Sequence, residues 1–216
     1  MAKYKSLMEL SGSIGDLVFY TLNGVPVVRR KSGFTKEGYN DPKYIKVREN
    51  SSEFGHCSKS GKLLRQTLEP FMGDCGDRYM YQKFARIMTQ IKDLDTTSAR
   101  GKRSIETGIR KPEAMPLLCG FTFGNFENIS RTVSTEEGFF TKSVQIIEKT
   151  EADEIQLITI KPDFDALQAE TREQHFPVNS RKKSFEFDRH FDDTSLLLYF
   201  LILKKENEVV AAGFIS

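Results

Sequence analysis

Residues 196–214 read LLLYFLILKKENEVVAAGF, and this stretch decides the class of fold. Residues 196–203 form a continuous apolar run, which has the length of a buried strand and is too short to cross a membrane. A second apolar run follows a short polar reversal around Asn207. The two runs therefore predict an antiparallel hairpin.

Strand-like patterns continue from this hairpin back to residue 120. Further candidate strands cover residues 120–126, 129–134, 141–149, 154–161 and 183–187, while residues 163–174 fit either a short helix or a polar strand. Six or seven short strands in about 95 residues are typical of an antiparallel sandwich. We therefore predict a β-sandwich domain over residues 119–216.

The pattern before residue 119 has the period of a helix. Asp41-Pro42 predicts a helix start, because Asp caps helices and Pro fits the first turn. One face of this helix would carry Tyr44, Val47, Ser51, Phe54, Ser58, Gly61, Leu64 and Leu68, with a break near Gly55 and an end at Pro70 and Gly73. A second helix is predicted over residues 77–94, and a short third one over residues 102–108.

Two β-prone runs, residues 17–20 and 25–29, lie on either side of Asn23-Gly24. This dipeptide predicts a type I′ hairpin turn, because both of its residues tolerate positive φ. A strand over residues 6–11 would extend the hairpin to a meander. The predicted fold is α+β: an N-terminal β-hairpin or meander with a two- to three-helix unit in residues 1–118, followed by an antiparallel β-sandwich in residues 119–216.

The net charge of +2 conceals an asymmetry between these halves. Residues 1–118 hold 21 Lys and Arg against 13 Asp and Glu, a net charge of +8, whereas residues 119–216 hold 11 against 17, a net charge of −6. Either the two surfaces are simply solvated, or the basic half meets an anionic partner or the acidic half of a second copy.

The cysteines and the termini bear on the compartment. Cys57, Cys75 and Cys119 are odd in number and make no CxxC pair, which favours reduced thiols in a cytoplasmic protein. The sequence shows no signal-peptide pattern and no apolar stretch of membrane-spanning length. We therefore expect no membrane partner.

Patterns that resemble catalytic motifs are incomplete. Residues 55–62, GHCSKSGK, depart from a phosphate-binding loop, because five residues separate the glycines and Leu63 follows Lys62. His56 and Cys57 are adjacent on a predicted helix, so they point about 100° apart and cannot act as a base and a nucleophile. His190 has two nearby aspartates but no second histidine. We expect no catalytic residue, no cofactor and no metal site, and a protein that is not an enzyme.

The N-terminal half carries an ordered set of short motifs: residues 12–20 (GSIGDLVFY), 29–33 (RRKSG), 48–55 (RENSSEFG) and 61–65 (GKLLR). In order and spacing these resemble an uncharacterised protein family of the Bacteroidota over about residues 1–110. The resemblance implies no activity, cofactor or catalytic residue. A looser similarity to Gly-rich hairpins of phage virion proteins leaves a virion-like structural component as an alternative.

These features predict a non-enzymatic structural or interaction protein that self-associates into a homo-oligomer or an extended assembly, through strand-edge pairing and contacts between basic and acidic surfaces. Another protein partner is an alternative, and so is nucleic acid bound by the basic half. We expect Arg29 or Arg30 to balance the acidic pair Glu49 and Glu53, which lie one helical turn apart. The candidate interface residues are Asp16, Tyr20, Arg29, Arg30, Lys31, Arg48, Glu49, Glu53 and Arg65.

Overall fold

The computed structural model describes residues 2–5, 10–33, 36–137, 141–148, 150–178, 184–188, 190–192 and 195–216. Helices and mainly antiparallel strands confirm the α+β class. The chain divides into two compact units, Met1–Ile45 and Lys46–Ser216, so the boundary lies well before residue 118. The reason is that the helices after residue 46 share one apolar core with the strands that follow them.

The first unit is a four-stranded antiparallel sheet in the order β1-β4-β3-β2. Its strands are β1 (Ala2–Lys3), β2 (Gly12–Ile14), β3 (Leu17–Leu22) and β4 (Val25–Arg30). The predicted type I′ turn is confirmed, because Leu22 pairs with Val25 and both Asn23 and Gly24 have positive φ. Most of the strand predicted over residues 6–11 lies outside the described residues. A short helix, α1 (Lys36–Tyr39), and a 3₁₀ turn, Pro42–Tyr44, follow the sheet, and the Asp41 side chain caps the turn as predicted.

The second unit begins with the long helix α2 (Ile45–Met72), which Gly55 does not interrupt. Helices α3 (Met80–Asp93), α4 (Ile105–Ile109) and α5 (Ala114–Cys119) follow, and α5 was not predicted. The predicted apolar face of α2 is wrong in its N-terminal half, where Phe54 is 61% exposed and Glu53 is buried instead. Gly61 does allow close packing, because a Cβ there would lie 3.0 Å from Met88 Cγ of α3.

The second unit also holds two sheets. Their strands are β5 (Glu127–Asn128), β6 (Val133–Glu137), β7 (Thr141–Ile146), β8 (Glu154–Asp163), β9 (Gln168–Pro177), β10 (Ser184–Asp188), β11 (Leu198–Lys205) and β12 (Glu208–Ile215). One sheet has the order β5-β12-β11-β8-β9 and the other β10-β7-β6. The predicted hairpin of β11 and β12 is confirmed. Residues 120–126 are a turn with Phe121 and Phe123 buried, not a strand.

The five-stranded sheet is buried on both faces. Ile158, Phe200 and Phe214 pack with the helices on one side, while Ile155 and Leu201 belong to a core shared with the three-stranded sheet on the other. The two sheets thus face each other as predicted. The helices cover the other face of the five-stranded sheet. Burial on both faces explains why residues 196–203 are apolar throughout instead of alternating. No helix in the described part of the chain is long and apolar enough to span a membrane.

Candidate functional site

The predicted interface residues belong to both units. Asp16, Tyr20, Arg29, Arg30 and Lys31 lie in or beside the N-terminal sheet, whereas Arg48, Glu49, Glu53 and Arg65 lie on α2. The two groups are placed in very different environments, and each is described in turn.

Glu53 is the centre of a buried ion cluster and is only 3% exposed. Its carboxylate accepts hydrogen bonds from Arg103 Nη2 at 2.6 Å and Nε at 2.8 Å, from Lys92 Nζ at 2.9 Å, and from the backbone N–H of Gly101 at 2.7 Å. The hydrogen bond from Arg103 lowers the pKa of Glu53, whereas burial raises it. The hydrogen bonds from Lys92 and Gly101 lower this pKa further. Together they lower this pKa from 4.5 to about 2, so the carboxylate is charged at neutral pH.

The expectation that Arg29 or Arg30 balances Glu53 is wrong. The cations that do so are Lys92 and Arg103, and they leave Glu53 too buried to serve in an interface. Glu49 has its own partner, Arg100, at 3.6 Å between Nε and Oε2. The sequence shows the acidic pair on one helix face, but not which distant basic segment folds onto it.

Asp95 fixes the loop that carries Arg100 and Arg103, and sequence analysis did not identify it. Its buried carboxylate accepts hydrogen bonds from the backbone N–H groups of Thr97, Ser98 and Ser104. Burial alone would raise the pKa of Asp95, but the hydrogen bonds, led by those from Ser98, hold it well below its usual range. The loop after α3 is therefore a rigid, internally capped segment, and an Asp followed by Thr and Ser was the available signal for it.

His56 and Cys57 do not form a catalytic pair. The backbone N–H of Ile105 donates to His56 Nε2 at 3.0 Å, which occupies the nitrogen that a base would use. Cys57 is fully buried, and burial raises the pKa of its thiol to about 11. A thiol with such a pKa is almost entirely protonated at neutral pH and is a poor nucleophile.

Arg65 is half-buried beside an open cavity of about 450 Å³. Its Nε atom is buried, with no hydrogen-bond acceptor in the described part of the chain. The same cavity is lined by Glu69, Asp74 and Asp77. These carboxylates make the cavity a poor site for an anion, so the arginine is unlike a phosphate-binding residue.

The face of the N-terminal sheet that carries Ile14 and Leu17 is here called the open apolar face, although the opposite face also exposes Leu22 (45%) and Val25 (38%). The register pairs Ile14 with Leu17 and Phe19 with Val28, and paired or alternate residues share a face. Ile14 is 62% and Leu17 is 43% exposed. Val27, on the opposite face, is the one buried residue among the side chains described in this unit.

Three cations follow one another at the end of β4. Arg29, Arg30 and Lys31 are exposed, and within the described ranges none of their side chains makes an ion pair. Arg30 pairs with Leu17 and so lies on the open apolar face, whereas Arg29 pairs with Val18 on the other face.

Asp16 lies beside the open apolar face, whereas Tyr20 lies on the opposite face. Asp16 occupies the β2–β3 turn, where its backbone carbonyl accepts from Lys31 N–H at 2.7 Å and its side chain is exposed without an ion pair to any described residue. Tyr20 is half-buried and pairs with Val27. The predicted residues of the N-terminal sheet are thus divided between its two faces, and Arg29, Arg30 and Lys31 have no ion pair with any residue that the structure describes.

Among the residues that the structure describes, no three His, Cys, Asp or Glu side chains are grouped so that they could hold a metal ion. Comparison with protein-family models, with curated proteins and with solved structures finds no match to this chain.

Proposed function

We propose that this chain is a non-enzymatic interaction protein that self-associates through its N-terminal sheet. The observation that carries the proposal is the open apolar face with Ile14 and Leu17. A unit of 45 residues is close to the size below which a core no longer stabilises a fold without help. With Val27 as its one described buried residue, this sheet needs a cover, and oligomerisation is a common way to supply one.

A second copy of the chain is the partner that the charges favour. Arg30 lies on the apolar face and Asp16 in the adjacent turn, both exposed and without ion pairs to described residues. Twofold packing of two such faces places Arg30 of one copy near Asp16 of the other, twice per dimer, because an isologous interface repeats each contact. The apolar side chains then supply affinity, and the reciprocal ion pairs set the register.

The size of the sheet limits the strength of this contact. The four strands have two, three, six and six residues, and at about 4.8 Å spacing and about 3.3 Å rise per residue they give a face of roughly 270 Å². Two such faces bury about 540 Å², which is below the roughly 1,200 Å² of stable interfaces. We therefore expect a weak, concentration-dependent dimer. The outer edge of β2 carries no charge or proline against strand pairing, so it offers a second contact for longer assemblies.

The ion cluster weighs against nucleic acid as the partner. Arg100 and Arg103, which made the basic half look suited to phosphates, have Glu49 and Glu53 as partners within the chain. Arg29, Arg30 and Lys31 remain on the N-terminal sheet, and Lys59 and Lys62 on α2, and small groups of cations support only weak binding to a phosphate backbone.

The test is the mass of the full chain measured by sedimentation over a wide concentration range. We expect the wild type to exceed its monomer mass of 24.7 kDa as concentration rises, and the double variant Ile14→Thr, Leu17→Thr to remain monomeric. Thr keeps the strand propensity of both positions while removing apolar surface. Phe54→Thr is the matched control, because Phe54 is equally exposed but lies on α2.

Two results would overturn the proposal. One is a wild-type chain that stays monomeric up to about 1 mM, well above the concentrations at which weak complexes form. The other is association that survives the double variant unchanged. If the wild type is monomeric and the double variant has a lower Tm than the wild type, the apolar face is covered by the chain itself.

A further inference from the structure

A second cavity, of about 440 Å³, opens between α2 and the turn that joins β8 to β9. Its volume lies in the range of small-molecule sites, roughly 300–1,000 Å³. His56 and Lys59 line it from the helix, and Phe164, Asp165 and Leu167 line it from the turn. All of these residues belong to the second unit, so the cavity is separate from the N-terminal sheet.

The cavity presents opposite charges that do not neutralise each other. The Lys59 ammonium group and the Asp165 carboxylate both line it, yet neither makes an ion pair, with the other or with any further described residue. Lys59 borders the cavity from α2 and Asp165 borders it from the turn, so both charges adjoin the same space. A gap between them is what a ligand with charges of both signs would fill.

His56 adds a neutral hydrogen-bond donor. Because Nε2 accepts from the Ile105 N–H, the ring proton lies on Nδ1, which has no acceptor among the residues described. Burial lowers the pKa of this histidine, so the ring is uncharged at neutral pH. Nδ1–H is thus available to an oxygen atom of a ligand beside Lys59.

Ser51, Ser52 and Gly55 also line the cavity from α2, and its apolar part is formed by Phe164 and Leu167 of the turn. Phe164 is buried, and Leu167 is held at φ +54°, a left-handed conformation that costs a leucine about 1 kcal/mol or more. Strained residues of this kind are concentrated at ligand sites. Leu167 places an aliphatic side chain on the cavity wall, opposite the polar groups of α2.

We propose that this cavity binds a small zwitterion of the α-amino-acid class, with its carboxylate on Lys59 Nζ and His56 Nδ1–H and its ammonium group on Asp165. The aliphatic part of such a ligand would contact Leu167 and Phe164. This inference does not depend on self-association.

The experiment is titration calorimetry of the full chain with glycine, L-alanine and L-leucine, and with acetate and methylammonium as singly charged analogues. We expect saturable binding of the zwitterions and much weaker binding of each analogue. Lys59→Met and Asp165→Asn should each weaken zwitterion binding at least tenfold. Lys62→Met is the matched control, because it removes the same charge from α2 at a position outside the cavity, and it should leave affinity unchanged.

Three results would overturn the proposal. The first is no saturable binding of any zwitterion up to about 10 mM, which is above the usual millimolar limit for small ligands. The others are acetate binding as tightly as glycine, and a loss of zwitterion affinity in Lys62→Met equal to that in Lys59→Met. Circular dichroism and Tm establish that each variant is folded. The sedimentation mass of Lys59→Met should equal that of the wild type, so failure here and failure of the self-association proposal are separate outcomes.

Discussion

Charged residues of α2 and of the N-terminal sheet were predicted alike to lie in an interface, but the structure places them in different environments. Glu53 is buried, and its carboxylate oxygens bind Arg103, Lys92 and Gly101. Arg30 is exposed and has no ion partner in the described part of the chain. The difference separates charges that hold the fold together from charges that remain available to a partner, and each prediction below changes one side of it.

The largest effect is expected from Glu53→Gln. The change leaves the buried Lys92 and the partly buried Arg103 with only the half-exposed carboxylate of Asp93 as their anion. We therefore expect a cost toward the lower end of the about 3–5 kcal/mol that breaking a buried ion pair entails. Urea unfolding measures the free energy. The matched control is Glu49→Gln, whose pair with Arg100 is longer and more exposed, and which should cost about 0.5 kcal/mol.

Should Glu53→Gln fail to fold, Arg103→Lys keeps the test available. It preserves the charge but loses the paired hydrogen bonds to both carboxylate oxygens, so we expect a loss of about 1–2 kcal/mol. Equal stabilities of the Glu53 and Glu49 variants would contradict the distinction between a structural and an available charge.

The next effect is the pH dependence of stability. The pKa of Glu53 is lowered from 4.5 to about 2 in the folded chain, so the unfolded chain binds its proton first as the pH falls. The stabilisation is therefore complete above about pH 5 and is lost toward pH 2, by about 2 kcal/mol between about pH 5 and about pH 3. Chemical unfolding at several pH values measures the slope.

Glu53→Gln serves as the control for this slope, since it removes the titrating group while the other carboxylates, including Asp95, still titrate. The difference between the two profiles isolates Glu53. Identical slopes in the wild type and the variant would show that the carboxylate is not held in its charged form by the cluster.

An effect of similar size is expected at one of two glycines with similar backbone angles. Gly101 has φ +88°, and a Cβ there would lie 2.9 Å from Glu49 Cγ, whereas Gly24 has φ +80° and open space around it. Gly24→Ala should cost about 1 kcal/mol, from the left-handed backbone alone. Gly101→Ala should cost about 2–3 kcal/mol, because the loop must also move away from α2. Thermal unfolding compares them, and equal Tm losses would contradict tight seating of the loop.

The sequence predicted those features that depend on local rules. The Asn23-Gly24 turn, the Asp41 cap and the hairpin of β11 and β12 each follow from a few adjacent residues, and all are confirmed. The missed features depend on contacts between distant segments. Residues 120–126 alternate between apolar and polar side chains, as a strand does. In the structure they form a turn instead, and Phe121 and Phe123 fill the core between α3 and the five-stranded sheet.

The candidate sites divide in the same way. The sequence showed Arg100 and Arg103 as a basic cluster. It did not show that they pair with Glu49 and Glu53, about 50 residues earlier in the chain. The structure places Arg29 and Arg30 on opposite faces of the N-terminal sheet, which sequence analysis did not consider, and the sequence could not show how exposed each face would be. Exposure of an apolar face depends on what the rest of the chain covers, and no local pattern records that.

The smallest effect is expected from the charges of the N-terminal sheet, and it should appear in association and not in folding. Arg30→Asp places like charges across the proposed dimer and should weaken it about fivefold, the equivalent of roughly 1 kcal/mol, while stability changes by less than about 0.5 kcal/mol. Arg29→Asp is the control, since Arg29 lies on the opposite face and its substitution should leave the dimer intact.

The double variant Asp16→Arg, Arg30→Asp restores opposite charges and should recover the wild-type affinity. Sedimentation at low and high salt checks this, because screening should remove the Arg30→Asp effect at about 1 M salt. If Arg29→Asp weakens the dimer as much as Arg30→Asp, net charge controls association and the open apolar face is not the interface.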